Sequence, residues 1–166
     1  MYGIFVYEPG GIHYASALAN GIKPVETRTR NMLKQLIGKR VAIISTRRNR
    51  KPVVVGYATI DKAVKEDREW LDGHRDLTLI PEGSQFDCAG KFKWCYWLSS
   101  AETCEPYQLP ASAVRHGRSW CEFQTLEEIM TDCTGECDSC PHRKRVPGDI
   151  DRIDREPQYF CDYQEL

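Results

Sequence analysis

GIKPVETRTR, residues 21–30, holds a turn, a strand and an uneven charge in ten positions. The segment before it, IHYASALAN, has Ala15, Ala17, Leu18 and Ala19 and reads as a short helix with Gly21 as its C-terminal stop. The segment PVETR reads as a strand, with Glu26 and Arg28 on one face and Val25 and Thr27 on the other. From Lys23 to Lys51 there are ten Lys or Arg and one acid, Glu26, in a chain of formal net charge −1. Such a lone carboxylate has two readings. It neutralises Lys23 or Arg28 and pins the helix–strand corner, or it orients Lys23 and accepts a donor from the edge of a ligand.

Upstream, GIFVY is a short strand ended by Pro9-Gly10-Gly11. Downstream, NMLKQLIGKR gives a helical turn or two up to Gly38. VAIIS (41–45) and PVVVGYATI (52–60) are the clearest strands, joined by the basic loop TRRNRK. Residues 61–87 are more polar and acidic, with a helix expected around AVKEDREWLDG and a long surface loop at IPEGSQFDCAGK. FKWCYWL (92–98) alternates Phe92, Trp94, Tyr96 and Leu98 against Lys93, Cys95 and Trp97. Strand material returns in ASAVRHGRSWCEF, and TLEEIM reads as a short helix capped by Thr125, with Glu128 three residues on. Strands punctuated by short helices without a βαβ rhythm predict a mixed, mainly β fold of barrel type, not a doubly wound sheet.

A length of 166 residues suits one main domain with an appendage, here residues 1–124 and a Cys-rich extension at 125–166. Hydrophobic residues make up 41% and charged residues 28%, the balance of a soluble globular chain. No apolar run reaches the roughly 18–20 residues of a membrane span, and the first residues lack a basic signal-peptide region. A cytoplasmic protein without a membrane partner is therefore expected. Of eight cysteines, Cys88, Cys95, Cys104 and Cys121 are scattered and read as reduced core or loop thiols.

IHYASALANGIKPVETRTR, then GKRVAIIS, then VVVGYATI and later KWCYWLSSAE resemble the ASCH (activating signal cointegrator homology) domain of the PUA-like superfamily. The likeness spans about residues 3–123, is loose over 61–91, and is most specific at Gly21-x-Lys23-x-x-Glu26-x-Arg28 followed by Gly38-Lys39-Arg40-Val41. The resemblance implies a small RNA-associated β-barrel with a cleft beside the first helix, lined by Lys23, Glu26 and Arg28. One family pattern has Trp where Tyr14 stands, so an aromatic platform is kept. Bacterial members similar to the N4-acetylcytidine amidohydrolase have a Lys at the place of Lys23, a Thr three residues later and a distant Glu. Here the later position is Glu26. The nucleophilic hydroxyl is missing, and that activity is not carried over.

Lys23 suits a phosphate contact, a hydrogen bond to a ligand carbonyl or, if desolvated, a general base. Direct pairing with Glu26 would keep it charged and favour binding over base chemistry. The TRRNRK loop is either a solvated turn or, through Arg47, Arg48 and Arg50, a phosphate contact. Tyr14, Tyr57, Trp94, Trp97 and Trp120 offer stacking faces, though at least half belong to the core. Ser99, Ser100 and His13 are further cleft candidates. There is no Ser-His-Asp or Cys-His constellation, and no catalytic residue is assigned.

CTGECDSCPHRKR gives Cys133-x3-Cys137-x2-Cys140, with His142 two residues on and Cys161 in QYFCDYQ. Cys-x2-Cys is the knuckle spacing of structural zinc. The expected set is Cys133, Cys137, Cys140 and Cys161, with His142 as the alternative fourth ligand. An iron–sulfur triad and metal-free thiols are the competing readings. An extension poor in aliphatic residues would gain stability from the metal.

The expected function is binding of RNA or a nucleotide-like ligand by a basic cleft using Tyr14, Lys23, Glu26, Arg28, Arg47, Arg48 and Arg50. An amidohydrolase or ribonuclease acting on RNA or modified nucleosides is the chief alternative, and a protein–protein adaptor the third.

Overall fold

Val41, Ala42, Ile43 and Ile44 are all fully buried, as an unbroken apolar run requires in a strand covered on both faces. They lie in β3 (Arg40–Thr46), which pairs in parallel with β1 (Tyr2–Tyr7) and antiparallel with β4 (Val53–Asp67). The computed structural model describes residues 1–9, 13–88, 90–125, 143–145 and 159–161. The chain divides into two compact units, Met1–Phe123 and Gln124–Leu166.

In the first unit, α1 (Tyr14–Ala19) covers one face of the sheet. Its Tyr14, Ala15, Leu18 and Ala19 share a core with Ile4, Val6, Ile43, Ala58 and Ile60. Phe5, Ala42, Ile44, Val54, Cys121 and Phe123 fill the opposite face. The alternation of Phe5 against Ile4 and Val6 sorts β1 between the two cores. Gly21 (φ +77°) follows α1, as expected of its stop. A Cβ on Gly56 would lie 2.4 Å from the Glu102 carbonyl oxygen and 2.6 Å from the Ala19 Cβ, so only glycine admits the helix this close to β4.

The sheet has seven strands in the order β2-β5-β4-β3-β1-β7-β6. The remaining strands of this unit are β2 (Val25–Arg28), β5 (Phe92–Gln108), β6 (Val114–His116) and β7 (Trp120–Glu122). The architecture is mainly β with few short helices, as expected, but the sheet is open and does not close into a barrel. Closure needs two edges that pair in register. Here the edges are β2 and β6, only four and three residues long. Curvature comes instead from β4 and β5, 15 and 17 residues long, whose pairing shifts register three times. Ser100, at φ +49°, and Ala101 together lie opposite the single residue Ala58 at the shift between Tyr57 and Thr59.

The helix expected around AVKEDREWLDG is half strand. Lys62–Asp67 pairs with Phe92–Trp97, and only α2 (Arg68–Gly73) is helical, starting where the Asp67 carboxylate accepts the Trp70 N–H at 2.9 Å. A second short helix, α3 (Arg75–Thr78), follows, and turns and loop fill 80–88 and 90–91 as expected. NMLKQLIGKR contains one 3-10 turn, Lys34–Leu36, with Gly38 at φ +79°. Cys88, Cys95, Cys104 and Cys121 are free thiols. Burial pushes Cys95 up to about 12 and Cys121 up to about 11, so both are inert at neutral pH.

In the second unit, β8 (Arg143–Arg145) and β9 (Tyr159–Cys161) form an antiparallel pair with Arg143 opposite Cys161. The TLEEIM helix falls outside the described residues. Among the described residues, no helix is long and apolar enough to cross a membrane.

Candidate functional site

Lys23 sits at the junction of α1 and β2, and it is 2% exposed. A buried ammonium must be hydrogen-bonded and neutralised. Its Nζ donates to the Val25 carbonyl and to Glu26 Oε2, the latter at 3.0 Å. Glu26 uses its second oxygen, Oε1, for the Arg28 guanidinium at 2.9 Å. Arg28 also donates to the Phe5 carbonyl at 2.6 Å, which ties β2 to the centre of the sheet. Lys23, Glu26 and Arg28 are thus one ion cluster with Glu26 bridging.

Burial pushes the Lys23 ammonium below its ordinary value, and Glu26 only partly offsets this. Burial also pushes Glu26 upward, but the charges of Lys23 and Arg28 outweigh it and hold the carboxyl below its usual range. Glu26 is therefore ionised at neutral pH. Burial and the nearby Glu26 charge both raise the Tyr14 phenol.

The cluster forms the floor of a cavity of about 460 Å³. Val6 and Tyr7 at the end of β1, Tyr14 of α1, residues 26–29, Ile80, and residues 85–88 and 90–93 line it. Phe86 stands edge-on to Tyr14, with ring centroids 5.7 Å apart, and also meets Tyr7 at 6.1 Å. The 79–91 loop is fastened from behind. Asp87 accepts the Gly83 and Cys88 N–H groups at 2.7 and 2.8 Å and pairs with Arg68 and Arg75, each at 3.4 Å. Two side-chain atoms in the cavity wall, Tyr14 Oη and Arg28 Nε, are buried without a hydrogen-bond partner.

Of the residues expected at the site, Tyr14, Lys23, Glu26 and Arg28 converge on this cavity. Arg47, Arg48 and Arg50 do not line it. Arg47 instead donates through Nε and Nη2 to the buried Glu8 carboxylate, at 3.1 and 3.0 Å, and meets His13 Nδ1 at 2.8 Å. Glu8, just after β1, also accepts the Ala15 N–H at 2.9 Å and so caps the first turn of α1. Arg48 and Arg50 are exposed. His13 and Ser99 have other partners, Ser99 donating to Asp61 at 2.7 Å. Tyr57, Trp94, Trp97 and Trp120 contribute no cavity wall.

Sequence reasoning missed Tyr7, Phe86 and Lys93. Lys93 had a signal: it alternates with Cys95, a fully buried residue, so the strand pattern already turned it inward. The loop residues had none, because their position depends on Asp87 meeting two distant arginines.

Among the described residues, no group of three or more His, Cys, Asp or Glu is placed to hold a metal ion. Cys133, Cys137, Cys140 and His142 lie outside the described residues, and Cys161 ends β9.

The fold has close counterparts among solved structures. The crystal structure of ASCH from Zymomonas mobilis superposes with a TM-score of 0.57 at 20% identity, covering 77% of this chain and 91% of that one. The chain has the ASCH fold. A serine-to-alanine mutant of the same bacterial protein gives a TM-score of 0.57 at 21% identity, over 78% of this chain and 92% of that one. A tyrosine-to-phenylalanine mutant gives 0.56 at 20%, over 78% and 94%. No family model matches the chain, and no curated protein matches it. In this ASCH fold the ion cluster occupies the turn between the first helix and the following strand, and the aromatic cavity opens above it.

Proposed function

We propose that the cavity binds the base of an RNA nucleotide or a nucleotide-like ligand. One observation carries this reading: an aromatic-walled cavity whose polar floor retains unpartnered buried atoms on Tyr14 and Arg28. Buried polar groups without partners are rare, and a planar heterocycle supplies both ring surface and hydrogen-bonding edges. The volume, about 460 Å³, is within the range of small-ligand sites. The ionised Glu26 and the charged groups beside it suit recognition more than turnover, since Glu26 stands where a hydroxyl nucleophile would be needed.

Removing Glu26 strands the buried Lys23, a cost of about 3–5 kcal/mol, whereas removing Lys23 leaves Glu26 paired with Arg28 and costs less. The informative variant therefore removes both charges, Lys23→Met with Glu26→Gln. It is expected to recover much of the stability lost by Glu26→Gln alone, yet to bind ribonucleosides and short single-stranded RNA at least ~10-fold more weakly than wild type. Calorimetry and melting curves on the three variants check this. Full affinity in a folded double variant would sink the reading. Incubation with N4-acetylcytidine and with RNA, followed by product analysis, tests the hydrolase alternative on the same samples.

A further inference from the structure

Lys93 is 5% exposed, yet its ammonium donates to one acceptor among the described residues, the Phe86 carbonyl. Among the described residues, no carboxylate lies within ion-pair distance of it. The two acids of the cavity wall are committed elsewhere: Glu26 bridges Lys23 and Arg28, and Asp87 pairs with Arg68 and Arg75, neither of which lines the cavity. Glu26 and Asp87 act on Lys93 only through space, and a buried cation with spare donors and no directly paired carboxylate is a costly arrangement. Burial accordingly pushes its affinity for a proton down.

We infer that Lys93 is an anion-anchoring residue, and that the ligand of the cavity is a nucleotide whose phosphate approaches Lys93 while its base lies against Tyr14 and Phe86. This rests on the nucleobase reading above and narrows it from a nucleoside to a phosphorylated nucleotide. Lys93, on β5, and Tyr14, on α1, bound one cavity from different elements, so base and phosphate meet separate parts of the wall. Incoming phosphate supplies the directly paired anion that Lys93 lacks and takes up its spare hydrogen bonds. The same phosphate chemistry occurs in a free mononucleotide and in a link of an RNA chain.

The test measures binding of the four ribonucleosides, their 3′- and 5′-monophosphates and dinucleoside monophosphates at constant ionic strength. Wild type should bind at least one phosphorylated form about tenfold or more tightly than its nucleoside. Lys93→Met, which keeps the length of the stem, should bring that ratio near one by weakening the phosphorylated form more than the nucleoside. A purely structural staple of the Phe86 loop would instead weaken nucleoside and nucleotide alike. Preference for dinucleoside monophosphates would identify an RNA chain as the phosphate source, and preference for monophosphates a free nucleotide.

If nucleosides bind wild type as tightly as every phosphorylated form, the role of Lys93 is overturned and the base site stands. A ratio that persists in Lys93→Met overturns it equally. If neither class binds, both readings fall. Should Lys93→Met not fold, wild type decides through inorganic phosphate. Phosphate should displace a bound monophosphate but not a bound nucleoside, and displacement by chloride at equal ionic strength as effectively as by phosphate overturns the inference.

Discussion

Arg47 is exposed, yet its guanidinium is tied to a buried carboxylate. Glu8 is 4% exposed and holds together the start of α1, Ser45 and Arg47, so the guanidinium is its counter-charge. Arg47→Ala should therefore lower the melting temperature, with a cost of about 1–3 kcal/mol from the stranded carboxylate. Arg48 and Arg50 are exposed on the same loop and have no such duty. Replacing both by Ala should leave the melting temperature near wild type. If the loop meets phosphate, the double variant should also flatten the slope of log affinity for single-stranded RNA against log salt, by roughly 0.7 per lost contact. An unchanged slope removes the loop from the binding surface. The sequence displayed all three arginines alike. Nothing in it paired Arg47 with a glutamate 39 residues away, and such partners are what separate a structural cation from a free one. Glu26 was more legible because its partners are local, at Lys23 and Arg28.

The 79–91 loop forms a wall of the cavity because Asp87 anchors it. Two backbone N–H donors and the neighbouring arginines hold its carboxyl at about 2, against an ordinary 3.8. The depressed value means the ionised form favours the folded state. That contribution is complete above about pH 4 and is lost as the pH falls through about 2. Wild type should lose more stability than Asp87→Asn between pH 4 and pH 2, as read from melting curves across that window. Parallel pH profiles for the two proteins would remove Asp87 as the fastening point. The helix, the turn and the strands at β1 to β3 were legible from glycine placement and apolar runs. The extension of β4 to Asp67 was not, because Lys62–Asp67 is too polar to resemble a strand until β5 pairs with it.

At the scale of the molecule, the ASCH fold was legible from the order of its motifs, whereas the open sheet depends on edge lengths that pattern does not reveal. The zinc site in the extension stands as a proposal from cysteine spacing. Elemental analysis of chain purified without chelator should give about one zinc, carried by Cys133, Cys137, Cys140 and Cys161, and chelation should speed proteolysis within 125–166 while sparing 1–124. Metal-free protein with a protease-resistant extension would overturn it. The short edge strands have a further consequence. An unpaired strand edge is a template for foreign backbone, and the risk grows with the number of free amides it presents. Because β2 is four residues long and covers only Trp94–Trp97 of β5, the stretch Ser99–Gln108 is paired on its β4 side alone, and this margin, not the short end strands, is where the folded first unit would accept foreign backbone for fibril-like stacking.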